Sequence, residues 1–406
     1  VAVDPRVLTP ADKADPRPIY AVWELTMRCD HACAHCGSRA GAPRPDEVDD
    51  ATLLATADAL AEAGTREVTL IGGEAYLHPR VFDVSRRLRH HDIRVSLQTG
   101  GMGLTPRMVG RLADAGVRSV GVSIDGTQAT HDELRDRPGS HAAGLRAIEN
   151  ARAAGLHATA NTQVNRLTAP VLRETAALLQ DAGVQVWRAQ LTVPMGRAAE
   201  RPEWILEPWR IPSVMETLAA IQVEAAERAH AEGVPLKRMF NVMAGNNLGY
   251  FGPHEFVLRS RPGGNAVAWK GCAAGRSVLG IESDGTIKAC PSLPTAPYVG
   301  GNVRDTDLMQ AWAEHPALRF TRDRTADELW GFCASCDYAD RCRAGCSFTA
   351  HCTLGRRGNN PFCDHRARTL AKRGLRERLE RVEAPAGAPY DFGRFRIVEE
   401  PVPADA

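Results

Sequence analysis

The sequence predicts an α/β protein: a partial, TIM-like (β/α)6 barrel over 20–212, followed by a small cysteine-rich domain over 271–366. Three observations predict it. Short apolar runs alternate with helical stretches, giving six strand–helix units. Several of those helices close on the same Ala-Gly stop, at Gly64, Gly116, Gly155 and Gly183, where glycine takes the left-handed conformation cheaply. The 11 cysteines fall into two groups, three at 29–36 and eight at 272–363, with none between. Alternating strands and helices of this length make parallel βαβ units with right-handed crossovers, and six units are two short of a closed barrel.

Each element follows in order. Residues 1–19 carry prolines at 5, 10, 16 and 18 and read as an irregular lead-in. Strands are expected at 21–26, 67–72, 94–99, 119–124, 157–164 and 186–193, and helices at about 50–63, 79–90, 105–115, 141–154 and 170–182. Thr105 can cap its helix, and Pro106 suits the first turn. A helix at 213–232 leads into 238–270, a stretch rich in Gly, Asn and aromatics with little periodicity. That stretch reads either as a linker that passes substrate or as a plain surface loop. After the cysteine-rich segment, 367–383 reads as a basic, solvated helix, and a Pro-rich tail runs to 406.

A length of 406 residues admits two or three domains. The 44% hydrophobic and 24% charged residues are ordinary for a soluble globular protein. A net charge of +1 gives no support to nucleic-acid or acidic-membrane binding. No apolar run nears the roughly 18–20 residues of a membrane span, and Val1-Ala2-Val3-Asp4-Pro5 lacks the pattern of a signal peptide. The expected location is the cytoplasm, where thiols stay reduced and clustered cysteines point to metal.

The first group is Cys29-x3-Cys33-x2-Cys36, on the loop after the first strand. Three thiolates are one short of a closed structural zinc site or a fully ligated [4Fe–4S] cluster. A zinc knuckle completed by His31 or His35 is one reading, and a cluster with one iron left open is the other. The Gly72-Gly73-Glu74 turn follows the second strand, Gln98-Thr99-Gly100-Gly101 the third, and Ser123 and Asp125 the fourth; Pro194–Gly196 follows the sixth. In barrels, chemistry gathers at these C-terminal strand ends.

This ordered set resembles the radical SAM superfamily. The resemblance implies a [4Fe–4S] cluster on Cys29, Cys33 and Cys36 whose open iron binds S-adenosylmethionine. One electron then gives methionine and a 5′-deoxyadenosyl radical. It implies adenine contact for His35, the methionine amine for Glu74 beside Gly72 and Gly73, a further cofactor contact at Thr99, and ribose contacts for Ser123 and Asp125. Glycine stands where the family has asparagine in the third motif, and Ala75-Tyr76 follows Glu74 where the family has proline.

The second group reads Cys272-x12-Gly285-x4-Cys290, then Cys333-x2-Cys336-x5-Cys342-x3-Cys346, then Cys352 and Cys363. It resembles the SPASM domain, which carries two auxiliary [4Fe–4S] clusters. The resemblance assigns Cys333, Cys336, Cys342 and Cys363 to the outer cluster and Cys272, Cys290 and Cys346 to the inner one. Cys352 is the inner cluster's fourth ligand, an inert buried thiol, or a hydrogen-atom donor. Taken as a fourth ligand, it leaves none of the 11 cysteines over. The same resemblance implies a ribosomally made peptide as substrate, ending crosslinked, thioether-bridged or oxidised. It also implies a reductant such as flavodoxin or ferredoxin; the roughly 19 residues before the first strand argue against a fused recognition domain and leave a separate peptide-recognition protein, direct binding or a non-peptide substrate. The alternatives are a small-molecule dehydrogenase or mutase and, from another class, a zinc-stabilised binding module.

Overall fold

In the computed structural model, which describes residues 5–403, a short helix α1 (Pro10–Ala14) precedes the first strand. The six expected strands are present as β1 (Tyr20–Glu24), β2 (Glu67–Ile71), β3 (Arg94–Thr99), β4 (Val117–Ser123), β5 (His157–Val164) and β6 (Val186–Leu191). They alternate with α2 (Asp50–Glu62), α3 (Val81–His90), α4 (Pro106–Asp114), α5 (Gln128–Arg135), α6 (Ser140–Ala153) and α7 (Leu172–Asp181), and α8 (Ile211–Ala231) follows β6. Helix-facing Val68, Leu70, Val95, Leu97, Val120 and Val122 are fully buried, so burial of the strands against the helices supplies the driving force. Thr105 caps α4 by accepting the Met108 N–H, with Pro106 in the first turn, as the sequence predicts.

Two segments extend the sheet beyond six strands. The stretch 238–270 contains β7 (Asn241–Ala244), which pairs in parallel with β6, and α9 (Glu255–Arg259). It is no plain surface loop: Tyr250 and Trp269 are buried within it. Its four-residue strand is too short to show a period. The cysteine-rich segment opens with β8 (Val278–Ile281), which pairs in parallel with β1, followed by β9 (Thr286–Lys288) and β10 (Val299–Asn302) in antiparallel order. One sheet therefore runs β10-β9-β8-β1-β2-β3-β4-β5-β6-β7. Its eight parallel strands do not close, because β7 and β8 lie at separate places in that order and never pair.

The remaining helices are α10 (Leu308–Glu314), α11 (Pro316–Asp323), α12 (Ala339–Cys342), α13 (Ser347–Leu354) and α14 (Asp364–Ala371). The basic helix expected over 367–383 is only half present. α14 stops at Ala371, Gly374 turns with φ +73°, and β11 (Leu375–Glu383) pairs antiparallel with β12 (Arg394–Pro401). Alternating Arg and Glu suit a helix face and a strand pair equally. Here the charges pair across strands, Arg376 and Arg378 with Glu400, and Arg396 with Glu380. The loop between β11 and β12 returns to the barrel, where the Tyr390 hydroxyl donates to the buried Glu24 and the Gly196 N–H donates to the Asp391 carbonyl. No helix among the described residues is long and apolar enough to cross a membrane.

Candidate active site and cluster cavities

The cysteine loop leaves β1 and is clamped at both ends. The Cys29 N–H donates to the Gly41 carbonyl (2.9 Å), and the N–H groups of Gly73 and Glu74 donate to the carbonyls of Thr26 and Arg28 (2.8 Å each). This approach requires glycine. A Cβ on Gly72 would lie 2.3 Å from the Thr26 oxygen, and one on Gly73 would lie 2.3 Å from the Arg28 oxygen. Arg197 closes the far side, its Nε donating to the Cys33 carbonyl at 2.7 Å.

A cleft of about 1100 Å3, open mouth included, lies at the C-terminal strand ends. Cys29, Cys33, Cys36, His35, Gly72, Gly73, Glu74, Thr99 and Ser123 all line it, so motifs from β1, β2, β3 and β4 converge as the sequence predicts. Asp125 does not line it. Its carboxylate is fully buried, accepts from Arg135 Nη2 at 2.6 Å and from the Gln163 N–H at 2.7 Å, and lies 3.6 Å from His35 Nε2. Burial opposes ionisation of Asp125, but Arg135, with His35 and His131, prevails and holds it at about 2. Asp125 is thus positioned to hold Arg135, whose Nη1 donates to Cys33 Sγ at 3.7 Å, and to brace His35. The His35 Nδ1–H donates to the Leu134 carbonyl at 3.0 Å, and burial, then Arg135, lowers its pKa to about 4, so the ring is neutral.

Glu74 is buried and accepts from the Thr99 hydroxyl and the Gly100 N–H, both at 2.6 Å. Burial raises its pKa to about 8, outweighing the hydrogen bonds from Thr99 and Gly100 and the pull of Arg135. The nearest titratable nitrogen is His31 Nδ1 at 3.9 Å. His31 itself is held by Asp30 (2.8 Å), which accepts from the Tyr76 hydroxyl (2.5 Å), and its Nε2 has no partner. Cys29, Asp30, His31 and Glu74 bring ligand atoms within 4.8 Å of one another. Much of the remaining lining is neutral, including Gln98, Gln163, Gln190, Asn247, Ser292 and Phe348. Gln98 belongs to the third motif read from the sequence; the sequence reading missed Arg135, Arg197, Gln163, Gln190 and Asn247. For Gln163 and Gln190 the available signal was their alternation along β5 and β6, which cannot tell an inward amide from a solvated one.

The eight later cysteines form two sets. Cys333, Cys336, Cys342 and Cys363 line one cavity of about 370 Å3, walled by Tyr250, Phe251, Phe332 and Tyr338. Four thiols around an apolar hollow are a donor set that fits a [4Fe–4S] cluster. Cys272, Cys290 and Cys346 act electrostatically on one another, and Cys346 and Cys290 act on the fully buried Cys352. Burial pushes Cys29, Cys342 and Cys346 up to about 12, so iron must displace protons to bind there. No disulfide joins any of the 11.

Comparison with known proteins agrees with this geometry. The family described as the Radical SAM superfamily matches residues 23–165, and the SPASM iron–sulfur cluster-binding domain matches residues 272–337. An AdoMet-dependent heme synthase of Methanosarcina barkeri is 29% identical over 352 residues, covering 86% of this chain and 97% of its own. The mycofactocin maturase MftC of Mycobacterium tuberculosis is 28% identical over 405 residues, covering 98% and 94%. Two solved structures share the fold. Native anSMEcpe with bound AdoMet has a TM-score of 0.64 at 16% identity, covering 87% of this chain and 95% of that one. SuiB of Streptococcus suis bound to S-adenosylmethionine has a TM-score of 0.60 at 15% identity, covering 82% and 73%.

Proposed function

We propose, from the premise that this chain is a radical SAM enzyme with a C-terminal SPASM domain, that it modifies a ribosomally made peptide by forming a crosslink, thioether or oxidised residue. When bound, the cluster and S-adenosylmethionine supply reductive cleavage to a 5′-deoxyadenosyl radical, which removes a hydrogen atom from the substrate. Cys29, Cys33 and Cys36 hold that cluster. Glu74, oriented by Thr99 and Gly100, takes the methionine amine. His35 meets the adenine and Ser123 the ribose. Asp125 acts one layer back, fixing Arg135 and His35 rather than touching ribose.

The observation that carries the peptide reading is the neutral part of the cleft lining. The amides of Gln98, Gln163, Gln190 and Asn247 offer both donors and acceptors to a peptide backbone. The lining cation, Arg135, is already spent on Asp125. The whole-chain similarity to the mycofactocin maturase, which spans the C-terminal hairpin, supports it. The heme synthase similarity favours a second reading, a small molecule or cofactor precursor.

Two auxiliary [4Fe–4S] clusters follow from the two cysteine sets, with Cys352 as the inner cluster's fourth ligand. A hydrogen-atom donor would have to face the reaction cleft, and Cys352 does not line it. A flavodoxin- or ferredoxin-type reductant and a separate recognition protein complete the system, which works in the cytoplasm. The holoenzyme then carries about twelve irons. The test is to incubate the reduced holoenzyme with S-adenosylmethionine and the peptide encoded beside it. Release of 5′-deoxyadenosine with a peptide mass change is expected. Turnover with a small molecule and an unchanged peptide overturns the reading.

A further inference from the structure

A second cleft, of about 900 Å3, lies on the cluster domain beside Cys272. Lys270, Arg276, Arg322, Arg324, Arg341 and Arg343 line it, against one carboxylate, that of Asp340. Arginines elsewhere in this chain are mostly paired with acids, as in Arg44, Arg135 and Arg366. None of these six has a carboxylate oxygen within 4.0 Å among the described residues. Their hydrogen bonds go to neutral atoms: Arg322 to the Trp312 carbonyl, Arg343 to the Arg324 carbonyl, and Arg324 Nη1 to the Ser347 hydroxyl at 3.3 Å. Arg324 forms part of the wall with only 3% of its surface exposed, and its Nε and Nη2 have no partner. A buried guanidinium with two idle nitrogens is costly unless an acceptor arrives; Cys272 and Glu328 act on Arg324 through space, but neither hydrogen-bonds it. In a protein of net charge +1, this concentration of uncompensated cation marks a site for an anion with several charges.

We propose that this cleft binds an acidic peptide segment, a carboxylate of which reaches Arg324 while its neighbours pair with the rim cations Lys270, Arg276 and Arg341. Arg324 can present the planar fork that carboxylates fit. The concavity decides the occupant: an extended chain can lower a side chain to a 3%-exposed group, whereas the convex face of a folded protein meets only the rim. α13 separates this cleft from the reaction cleft. Ser347 bonds Arg324 on one side, and Phe348 lines the other. The choice of a peptide rests on the function proposed above, whereas the anion chemistry does not.

The experiment uses the reconstituted full chain and a fluorescein-labelled hexaglutamate peptide, read by anisotropy. Binding is expected, weakening several-fold between about 50 and 300 mM salt. It should weaken at least about tenfold in Lys270→Glu/Arg276→Glu, two exposed positions, and also in Arg324→Met. Iron content confirms that each variant keeps its clusters. No binding at about 1 mM protein, or equal binding by the charge-reversed variant, overturns the proposal. Retention of inorganic phosphate or of an acidic redox protein, sensitive to the same substitutions while hexaglutamate stays silent, also overturns it. Hexaglutamate binding without 5′-deoxyadenosine release on the candidate substrate sinks the maturase reading and leaves the acidic-segment cleft standing. The reverse result sinks the cleft alone.

Discussion

Replacing Gly73 by alanine tests whether the end of β2 holds the cysteine loop in shape. The new Cβ would sit 2.3 Å from the Arg28 oxygen, 2.6 Å from its carbonyl carbon and 2.7 Å from Cys29 Cβ. The first two are backbone atoms and the third is fixed to the backbone of Cys29, so strand and loop must part by roughly 1 Å, an overpacking that costs about 1–3 kcal/mol. The hydrogen bonds from Gly73 and Glu74 to Thr26 and Arg28 (2.8 Å each) stretch with it, at about 1 kcal/mol apiece. The strain falls beside Cys29 and far from the later cysteines. Iron after anaerobic reconstitution should therefore fall by about four of about twelve per chain, and 5′-deoxyadenosine release should stop. Gly41 lies on the same loop, and a Cβ there meets nothing within 4 Å, so Gly41→Ala should keep full iron and activity. Full iron and near-normal cleavage in Gly73→Ala, or equal damage in Gly41→Ala, would refute the reasoning.

Three further outcomes follow. Glu74 titrates at about 8 before S-adenosylmethionine binds, and its carboxylate is the form that holds an ammonium group. Below that pH, binding must expel a proton, so affinity in equilibrium dialysis should tighten by up to about tenfold per unit as pH rises to 8, then level off; Glu74→Gln should weaken binding and flatten the profile. Arg135→Met strands the buried Asp125 and should cost about 3–5 kcal/mol in denaturant unfolding, with part recovered in Arg135→Met/Asp125→Asn. In the unmutated protein, the depressed Asp125 adds of order 2 kcal/mol above the usual carboxylate range, and that share is lost as pH falls toward about 2. Glu377→Ala removes the bidentate partner of the buried Arg366 and should free the hairpin, seen as faster proteolysis within 384–390; an unchanged digestion pattern would contradict this.

Much of the barrel was legible because its signals are local. Ala-Gly stops, the Thr105-Pro106 start and apolar runs of strand length each act within a few residues, and β1 to β6 stand where they predict. The converging cysteines and Glu74 were legible because strand ends share one rim. What stayed hidden depends on distant partners. β7 and β8 are four residues each and gain meaning only as neighbours of β6 and β1. Residues 375–383 carry a charge pattern that fits two periods, and the choice is made by Arg394–Pro401. Asp125 stands at a ribose-binding position in sequence, and its hydrogen bond from Arg135, ten residues on, which sequence spacing did not suggest, accompanies its absence from the cleft lining.

The pairing of β1 with β8 sets an order of events during synthesis. Tyr20 meets Val278 across that edge, and 366 positions separate Glu24 from the Tyr390 that caps it. At about 5–20 residues per second on a ribosome, the strand that launches Cys29 waits tens of seconds for its flank. Until then β1 has a neighbour on its β2 side only, and the loop it launches starts from a strand with one unpaired edge. Iron delivered early meets a loop whose supporting strand is still open on one side, which couples completion of the first cluster's surroundings in time to emergence of Val278–Ile281.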